Sequence, residues 1–324
     1  MRMRTRAAAI LATLALVPVA GRAQSFEAAG TRPQGMGGAF VAVADDASAV
    51  FWNPAGLAGG AFFSLVLDGH RAEVLPDEVE SGAQRSSWLL ALTTPALGLS
   101  YYRLSHDAVA PAGPDPNAGI RREGLVTHHV GATIVQSLTD SVAVGATLKL
   151  VRGIAGQAVV PAADRDAALR DVDLLGRSST RFDLDAGIMS RGALGSIGLV
   201  VRNVTEPAFP TAAGELRVER QVRAGASLAL LRGWILASDL DLTRAAGPLG
   251  AVREFALGTE RQVTRTLPTR AGIRLNTAGD AGRTPSFSAG ASYAAYGAVL
   301  VDVHVTTGPD EAFRGWGLAA RMAF

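Results

Sequence analysis

Histidines are the side chains of this sequence best suited to acid–base or metal chemistry, and their arrangement predicts neither. The five are His70, His106, His128, His129 and His304. No Gly-x-Ser-x-Gly nucleophile motif accompanies them. His128 and His129 are adjacent in a predicted strand, so their side chains point to opposite faces and cannot share one metal ion. We therefore expect no enzyme activity, no cofactor and no metal site.

A glycine-rich run, Gly35-Met36-Gly37-Gly38, could suggest a phosphate-binding loop. A dinucleotide fingerprint follows a strand and opens a helix inside a βαβ unit. No such unit surrounds this run. We interpret its glycines as allowing tight backbone turns.

Charged residues follow a clearer pattern, because many occupy every second position of apolar stretches. Within 181–189, an apolar set alternates with a polar set that includes Arg181, Asp183 and Asp185. In a strand the two sets face opposite sides. The polar sets predict an ionic lumen formed by Lys149, Arg181, Asp183, Asp185, Arg223, Asp239, Asp241, Glu254, Glu260, Arg270, Arg274, Asp302 and His304. These groups either line a polar path and hold the region of Asp45 and Asp46, or only satisfy one another.

The same alternation recurs from residue 61 to the carboxyl terminus in segments of about ten residues. We predict about fourteen strands, separated in strict turn by long and short connections. The short ones lie at 95, 190–192, 231–232 and 295–296, and the long ones at 71–85, 106–125, 153–178, 204–217, 244–251, 277–285 and 307–312. This arrangement is typical of a transmembrane antiparallel β-barrel, all-β, with tight turns on one side and loops on the other. A soluble sandwich also alternates but lacks that regularity.

Two of the long connections carry further signals. Residues 106–118 are rich in proline and glycine and predict a mobile loop. Residues 164–175 have an apolar stripe at helical spacing. That stripe could cover the mouth of the barrel or only its rim.

The first residues predict export. Residues 1–23 combine three arginines within the first six positions, an apolar run at 7–19 and small residues before position 24, as in a cleavable signal peptide. Four of the 31 basic residues lie there, so 27 basic and 29 acidic residues would remain. Such a near-neutral chain is not expected to bind nucleic acid. Because the chain has no cysteine, we predict neither disulfides nor a lipoprotein anchor.

The carboxyl terminus predicts how the chain reaches its membrane. Trp316, Leu318, Ala320, Met322 and the final Phe324 share one face of the last strand. A terminal phenylalanine after such alternation resembles the signal read by the barrel-assembly machinery. Further interfacial aromatic residues would be Trp88, Tyr101, Trp234 and Tyr293. We expect the cell outer membrane as location and its lipid as a partner.

Residues 24–60 lack the period-2 alternation that marks the barrel at 61–324. Their glycines allow tight backbone, Asp45 and Asp46 could cap a short helix through Trp52, and Asn53 before Pro54 ends it. A compact segment before a barrel of this size is expected in the lumen, as a hatch or plug.

The stretch 30–60 resembles the amino-terminal hatch of the FadL family of outer-membrane transporters, which includes the PorV/PorQ branch. The resemblance rests on Asp45-Asp46-Ala47 followed by Asn53-Pro54-Ala55-Gly56-Leu57. Two phrases, 237–242 and 255–260, are similar to the PorV branch.

The resemblance implies a fourteen-stranded barrel that transports hydrophobic small molecules, with a shift of the hatch opening a lateral exit. The PorV branch instead implies a non-enzymatic scaffold or shuttle that binds secreted proteins in type nine secretion. Its expected partner is therefore a hydrophobic ligand or a secreted protein. A purely structural barrel is the third possibility.

Overall fold

The computed structural model describes residues 29–74, 81–113, 119–160, 176–211, 214–231, 233–247, 250–278, 285–296, 298–309 and 313–324. The predicted signal peptide and the helical stripe at 164–175 fall outside them. Three short helices come first: α1 (Thr31–Gly35), α2 (Ala49–Trp52) and the 3-10 helix η1 (Pro54–Gly59). No helix in this part of the chain is long and apolar enough to cross a membrane.

Eighteen strands follow within the described residues. They are β1 (Ser64–Val74), β2 (Gly82–Thr93), β3 (Leu97–Pro111), β4 (Ile120–Ser137), β5 (Val142–Val160), β6 (Ser179–Gly192), β7 (Gly195–Arg202), β8 (Ala208–Thr211), β9 (Gly214–Arg217), β10 (Gln221–Leu231), β11 (Trp234–Asp241), β12 (Ala245–Gly247), β13 (Gly250–Val252), β14 (Glu254–Thr264), β15 (Leu267–Asn276), β16 (Ser286–Tyr296), β17 (Val299–Thr307) and β18 (Phe313–Ala323).

Fourteen of these strands form one closed antiparallel barrel, and the remaining four form two small hairpins. The barrel closes where β1 pairs with β18, from Ser64 opposite Ala323 to Val74 opposite Phe313. Closure leaves no unpaired strand edge. The predicted fold class and strand number are confirmed.

The alternation in sequence becomes an apolar outside and an ionic inside. On β5, Leu148 and Leu150 are 46% and 57% exposed, whereas Lys149 between them is 1% exposed. On β17, Val301, Val303 and Val305 are exposed, and Asp302 and His304 are buried. A soluble sandwich would bury the apolar set, so this polarity indicates a wall that faces lipid.

The strand ends at the long loops differ from the prediction. β3 continues to Pro111, β4 begins at Ile120 and β5 continues to Val160, with paired residues throughout. The predicted loop boundaries at 106–125 and after 153, and the unstructured loop at 106–118, were therefore wrong at these ends. The reason at β3 and β4 is that both faces are covered there, as Leu104 and Ser105 on β3 and Leu125 and Val126 on β4 show, so period-2 alternation fades although pairing persists.

Two hairpins inside predicted loops were not anticipated. β8 pairs with β9 and β12 with β13. Phe209 of β8 is fully buried and joins an apolar cluster with Leu125, Val151, Ala155 and Val218. This hairpin thus folds back onto the barrel wall.

Residues 29–60, hereafter the amino-terminal segment, lie inside the barrel. Almost all of the segment up to Leu57 is buried, and it contacts wall strands on every side of the closed sheet. The predicted short helix is confirmed as α2, which ends before an extended Asn53. Its N-cap is Ser48 rather than an aspartate, and the Asp46 carboxylate instead accepts the Ser48 N–H at 2.9 Å.

Candidate functional site: the seat of the amino-terminal segment

Wall side chains satisfy the irregular backbone of the segment. The N–H groups of Phe40 and Val41 both donate to one carboxylate oxygen of Asp239, at 2.9 Å each. The N–H of Thr31 donates to Asp68 at 2.5 Å. A segment with little regular secondary structure has few internal partners for its peptide groups. Side chains of the ionic lumen therefore accept the hydrogen bonds that a neighbouring strand would otherwise accept from this backbone.

Wall residues also donate to carbonyl oxygens of the segment. The guanidinium of Arg191 donates to the Gly56 carbonyl at 2.6 Å, and that of Arg274 to the Gly37 carbonyl at 2.9 Å. The hydroxyl of Ser227 donates to the Ala42 carbonyl at 3.2 Å. Each bond is local and polar, so water entering the lumen could replace it.

Arg32 connects the segment to the wall by charge. Its guanidinium donates to both carboxylate oxygens of Glu260 on β14, at 2.8 Å each. It also pairs with Asp45, and with Asp46 at 2.8 Å. Such a bidentate, charge-assisted contact has a defined geometry as well as strength. The predicted Asp45 and Asp46 region is thus held through an arginine of the segment itself.

These contacts continue into a closed ring of alternating charges, the ion ring. Arg270 pairs with Glu260 at 2.5 Å and with Asp302 at 3.4 Å. Arg321 pairs with Asp302 at 3.1 Å and approaches Asp46 at 3.8 Å. The ring therefore runs through Asp46, Arg32, Glu260, Arg270, Asp302 and Arg321. Its three cations and three anions neutralise one another in a buried site, where loss of one member would leave one opposite charge uncompensated.

The electrostatics of the segment's own members follow from this ring. Burial alone would raise the pKa of the Asp46 carboxyl, but the charges of Arg32 and Arg321 outweigh burial and hold that pKa below its ordinary value of 3.8. Burial would likewise lower the pKa of the Arg32 guanidinium, yet the surrounding carboxylates raise it. Both groups therefore stay charged at neutral pH.

The Asn-Pro-Ala motif forms a second anchor. The amide nitrogen of Asn53 donates to the Val41 carbonyl at 3.0 Å and to the Ile188 carbonyl of β6 at 3.3 Å. Its side-chain oxygen accepts the N–H of Ala55 at 3.2 Å, where η1 begins. Asn53 is fully buried. One side chain thus joins two parts of the segment to the wall.

Glycines of the wall allow the segment to approach closely. A Cβ on Gly272 would collide with the backbone of Met36 and Gly37, and a Cβ on Gly258 with Met36. Further wall glycines where a Cβ would meet the segment are Gly145, Gly187, Gly198, Gly225 and Gly290. We call these seven positions the glycine belt. A glycine inside a strand often marks such a close backbone approach.

The remaining predicted lumen residues lie in two further clusters, apart from Arg181 and from His304, which is buried and stacks on His70 with ring centroids 5.2 Å apart. Lys149 pairs with Asp185 at 2.7 Å and with Asp183 at 2.8 Å, and all three are buried. Arg223 pairs with Asp241 at 2.5 Å and with Glu254 at 2.9 Å. Arg181 differs, because its side chain is exposed and its guanidinium donates to the Thr180 carbonyl.

Sequence reasoning missed Arg32, Arg191 and Arg321 as seat residues. Arg32 lies in a stretch without periodicity, and the other two lie near strand ends. A usable signal was present in the strand glycines, which recur at inward positions. No group of three or more His, Asp or Glu residues in the described part of the chain is arranged to hold a metal ion.

The chain is similar in sequence to one protein family. A family model described as F plasmid transfer operon, TraF, protein matches residues 123–241. Among curated protein sequences no relative matches the chain.

Several solved structures share the whole architecture. CymD, a monoaromatic hydrocarbon channel, is similar with a TM-score of 0.63 and 16% identity, over 93% of this chain and 99% of its own. The Ralstonia pickettii toluene transporter TbuX has a TM-score of 0.61 and 14% identity, over 92% and 99%. A Pseudomonas aeruginosa FadL homologue has a TM-score of 0.62 and 12% identity, over 94% and 100%. The chain therefore has the fold of FadL-type barrels, which include hydrocarbon channels and transporters.

Proposed function

We propose that this protein passes hydrophobic small molecules across the outer membrane, with the amino-terminal segment as a movable hatch. The observation that carries the proposal is a closed barrel whose lumen is occupied by a segment held by hydrogen bonds and an ion ring.

The wall supports an outer-membrane location. Large apolar side chains cover its outward face, with Leu99 and Val130 63% and 58% exposed. Outward aromatic residues lie towards both ends of the barrel: Trp316 towards the long loops, and Tyr293 and Trp234 towards the short turns, with Trp88 and Tyr101 between them. This pattern matches the apolar band and aromatic girdles of membrane barrels.

The composition of the segment supports movement as a body. Phe40, Phe51 and Trp52 pack edge to face at centroid distances of 6.1 and 5.8 Å. The segment thus has aromatic contacts of its own, and its apolar core also includes wall residues such as Tyr102 and Met189. Moving the segment therefore requires breaking its polar contacts and separating this packing.

The neighbours in fold suggest the class of compound to test first. CymD is a monoaromatic hydrocarbon channel and TbuX a toluene transporter. We take small aromatic hydrocarbons as the leading substrate class. The proposal requires that the hatch moves, and it covers both a lateral and an axial exit of the transported molecule. No observation on the described residues supports the alternative, a scaffold that binds secreted proteins.

Toluene uptake tests the proposal. Cells that lack a route of their own should take up labelled toluene faster when they express this protein, whereas uptake of a hydrophilic sugar should stay unchanged. Cells are needed because their outer leaflet resists apolar solutes. Equal toluene uptake with and without the protein, at verified surface expression, would contradict the proposal.

A further inference from the structure

Basic side chains gather on the outward face at the loop end of the barrel. The face is outward because these positions alternate with buried residues along their strands, as Arg152 does with Val151 and Gly153, and Arg314 and Trp316 do with Gly315 and Gly317. They lie on β18, β1, β3, β4 and β5, which with β2 form six adjacent strands. We call this group the basic belt: Arg314, Arg71, Arg103, His128 and Arg152.

The belt lies at the edge of the apolar band. On β5 the outward positions run from Val142 to Leu150 without a charge, and Arg152 follows. Ten residues of a tilted strand rise roughly 25 Å, the height of the apolar band of such barrels. Arg103, His128 and Arg152 are partners in register across three strands. They therefore form one continuous row across the three strands.

Aromatic groups accompany the row. The Tyr101 hydroxyl hydrogen-bonds to His128 Nδ1 at 2.9 Å. Where β1 meets β18, a surface recess of about 290 Å³ is lined by Arg71, Ala72, Glu73, Arg314 and Trp316. Tyrosine and tryptophan favour the depth where lipid tails meet headgroups. The recess and the row thus both combine basic with aromatic side chains.

The charges at this level are mostly of one sign. The four arginines outnumber the nearby carboxylates, which are Glu73 in the recess and Asp107 close to Arg103. Near the short turns the outward positions of the same strands are apolar, as at Leu65, Leu92 and Leu97. Opposite leaflets would therefore meet surfaces of different charge.

We propose that the basic belt binds the phosphate groups of anionic lipid headgroups in the leaflet at the loop end. Guanidinium groups match phosphate with paired hydrogen bonds, and a basic residue near an anionic surface contributes about 1 kcal/mol. The inference rests on the proposed placement in the outer membrane and is independent of what the lumen transports.

Native mass spectrometry of the full chain from lipid nanodiscs tests it. The nanodiscs contain phosphatidylethanolamine with either diphosphorylated lipid A or its dephosphorylated form. The wild type should retain the phosphorylated lipid preferentially. Combined Arg71→Gln, Arg103→Gln, Arg152→Gln and Arg314→Gln should lower that retention roughly tenfold or more. Arg261→Gln, at the other end of the barrel, is the matched control and should retain it like the wild type.

A variant that keeps the charge, Arg103→Lys with Arg152→Lys, should lose much less of its retention of the phosphorylated lipid than the glutamine variant does. Equal retention by the wild type and the glutamine variant, with both barrels folded by gel mobility, would overturn the inference. Failure of the wild type to insert into the nanodiscs with dephosphorylated lipid A would instead contradict membrane placement, and with it the proposed function. A negative toluene uptake result would leave lipid retention unchanged.

Discussion

Gly272→Val is expected to raise the ion conductance of the barrel steeply in planar lipid bilayers. Gly272 lies on β15, where an added Cβ would collide with the backbone of Met36 and Gly37. Overpacking of a well-packed site typically costs about 1–3 kcal/mol, and here backbone faces backbone, so no side chain can yield. Moving the segment is the available relief, because the wall is fixed by its strand pairing.

The neighbouring position provides a matched control for this change. Ala271 lies on the same strand and is exposed on the outward face, so Ala271→Val adds similar bulk without touching the segment. Its conductance should equal that of the wild type, and both variants should keep the gel mobility of a folded barrel. Unchanged conductance in Gly272→Val would contradict the view that the glycine belt seats the segment.

Arg32→Gln should have the second large effect, through charge rather than bulk. Arg32 is the residue through which the ion ring links Asp46 to Glu260. Breaking a buried pair by removing one partner typically costs about 3–5 kcal/mol, since the other charge remains buried. We expect a marked gain in conductance and faster proteolysis of the amino-terminal segment.

A double-mutant cycle separates this charge effect from lost packing. The double variant Arg32→Gln with Glu260→Gln should show a smaller gain in conductance than Arg32→Gln alone, because neither position then carries a charge that lacks its partner. Arg217→Gln, at a side chain that is half exposed, should change nothing. Additive effects of Arg32→Gln and Glu260→Gln would show that the two residues act independently and that the ring is not a unit.

The barrel itself was predictable from sequence, and the reasons are visible at single residues. Lys149 stands between Leu148 and Leu150, and only a wall with opposite environments on its two faces accommodates that order. Prediction failed at the loop ends of β3 and β4, since both faces are covered there and alternation carries no information. The β8–β9 hairpin escaped because strands of four residues are too short for a periodic signal.

The seat was less predictable than the wall. Asp239, Asp241, Glu254 and Glu260 were assigned to the lumen by their alternation, and the structure places them there. Whether they act in transport stays a prediction. Their partners could not be foreseen, because pairing across the lumen depends on the path of a segment that has no period. The role of Phe324 in assembly likewise stays a prediction.

A covalent link between the segment and the wall would show whether the hatch must move. The chain has no native cysteine, so Ala42→Cys with Ser227→Cys would introduce one pair at a contact where the Ser227 hydroxyl donates to the Ala42 main-chain carbonyl at 3.2 Å, and titration of free thiols would show when the disulfide has formed. In cells that express this variant, toluene uptake should be lost when the disulfide forms and return after reduction, while Ser227→Cys alone should transport under both conditions. Uptake that persists with the disulfide formed would contradict a movable hatch.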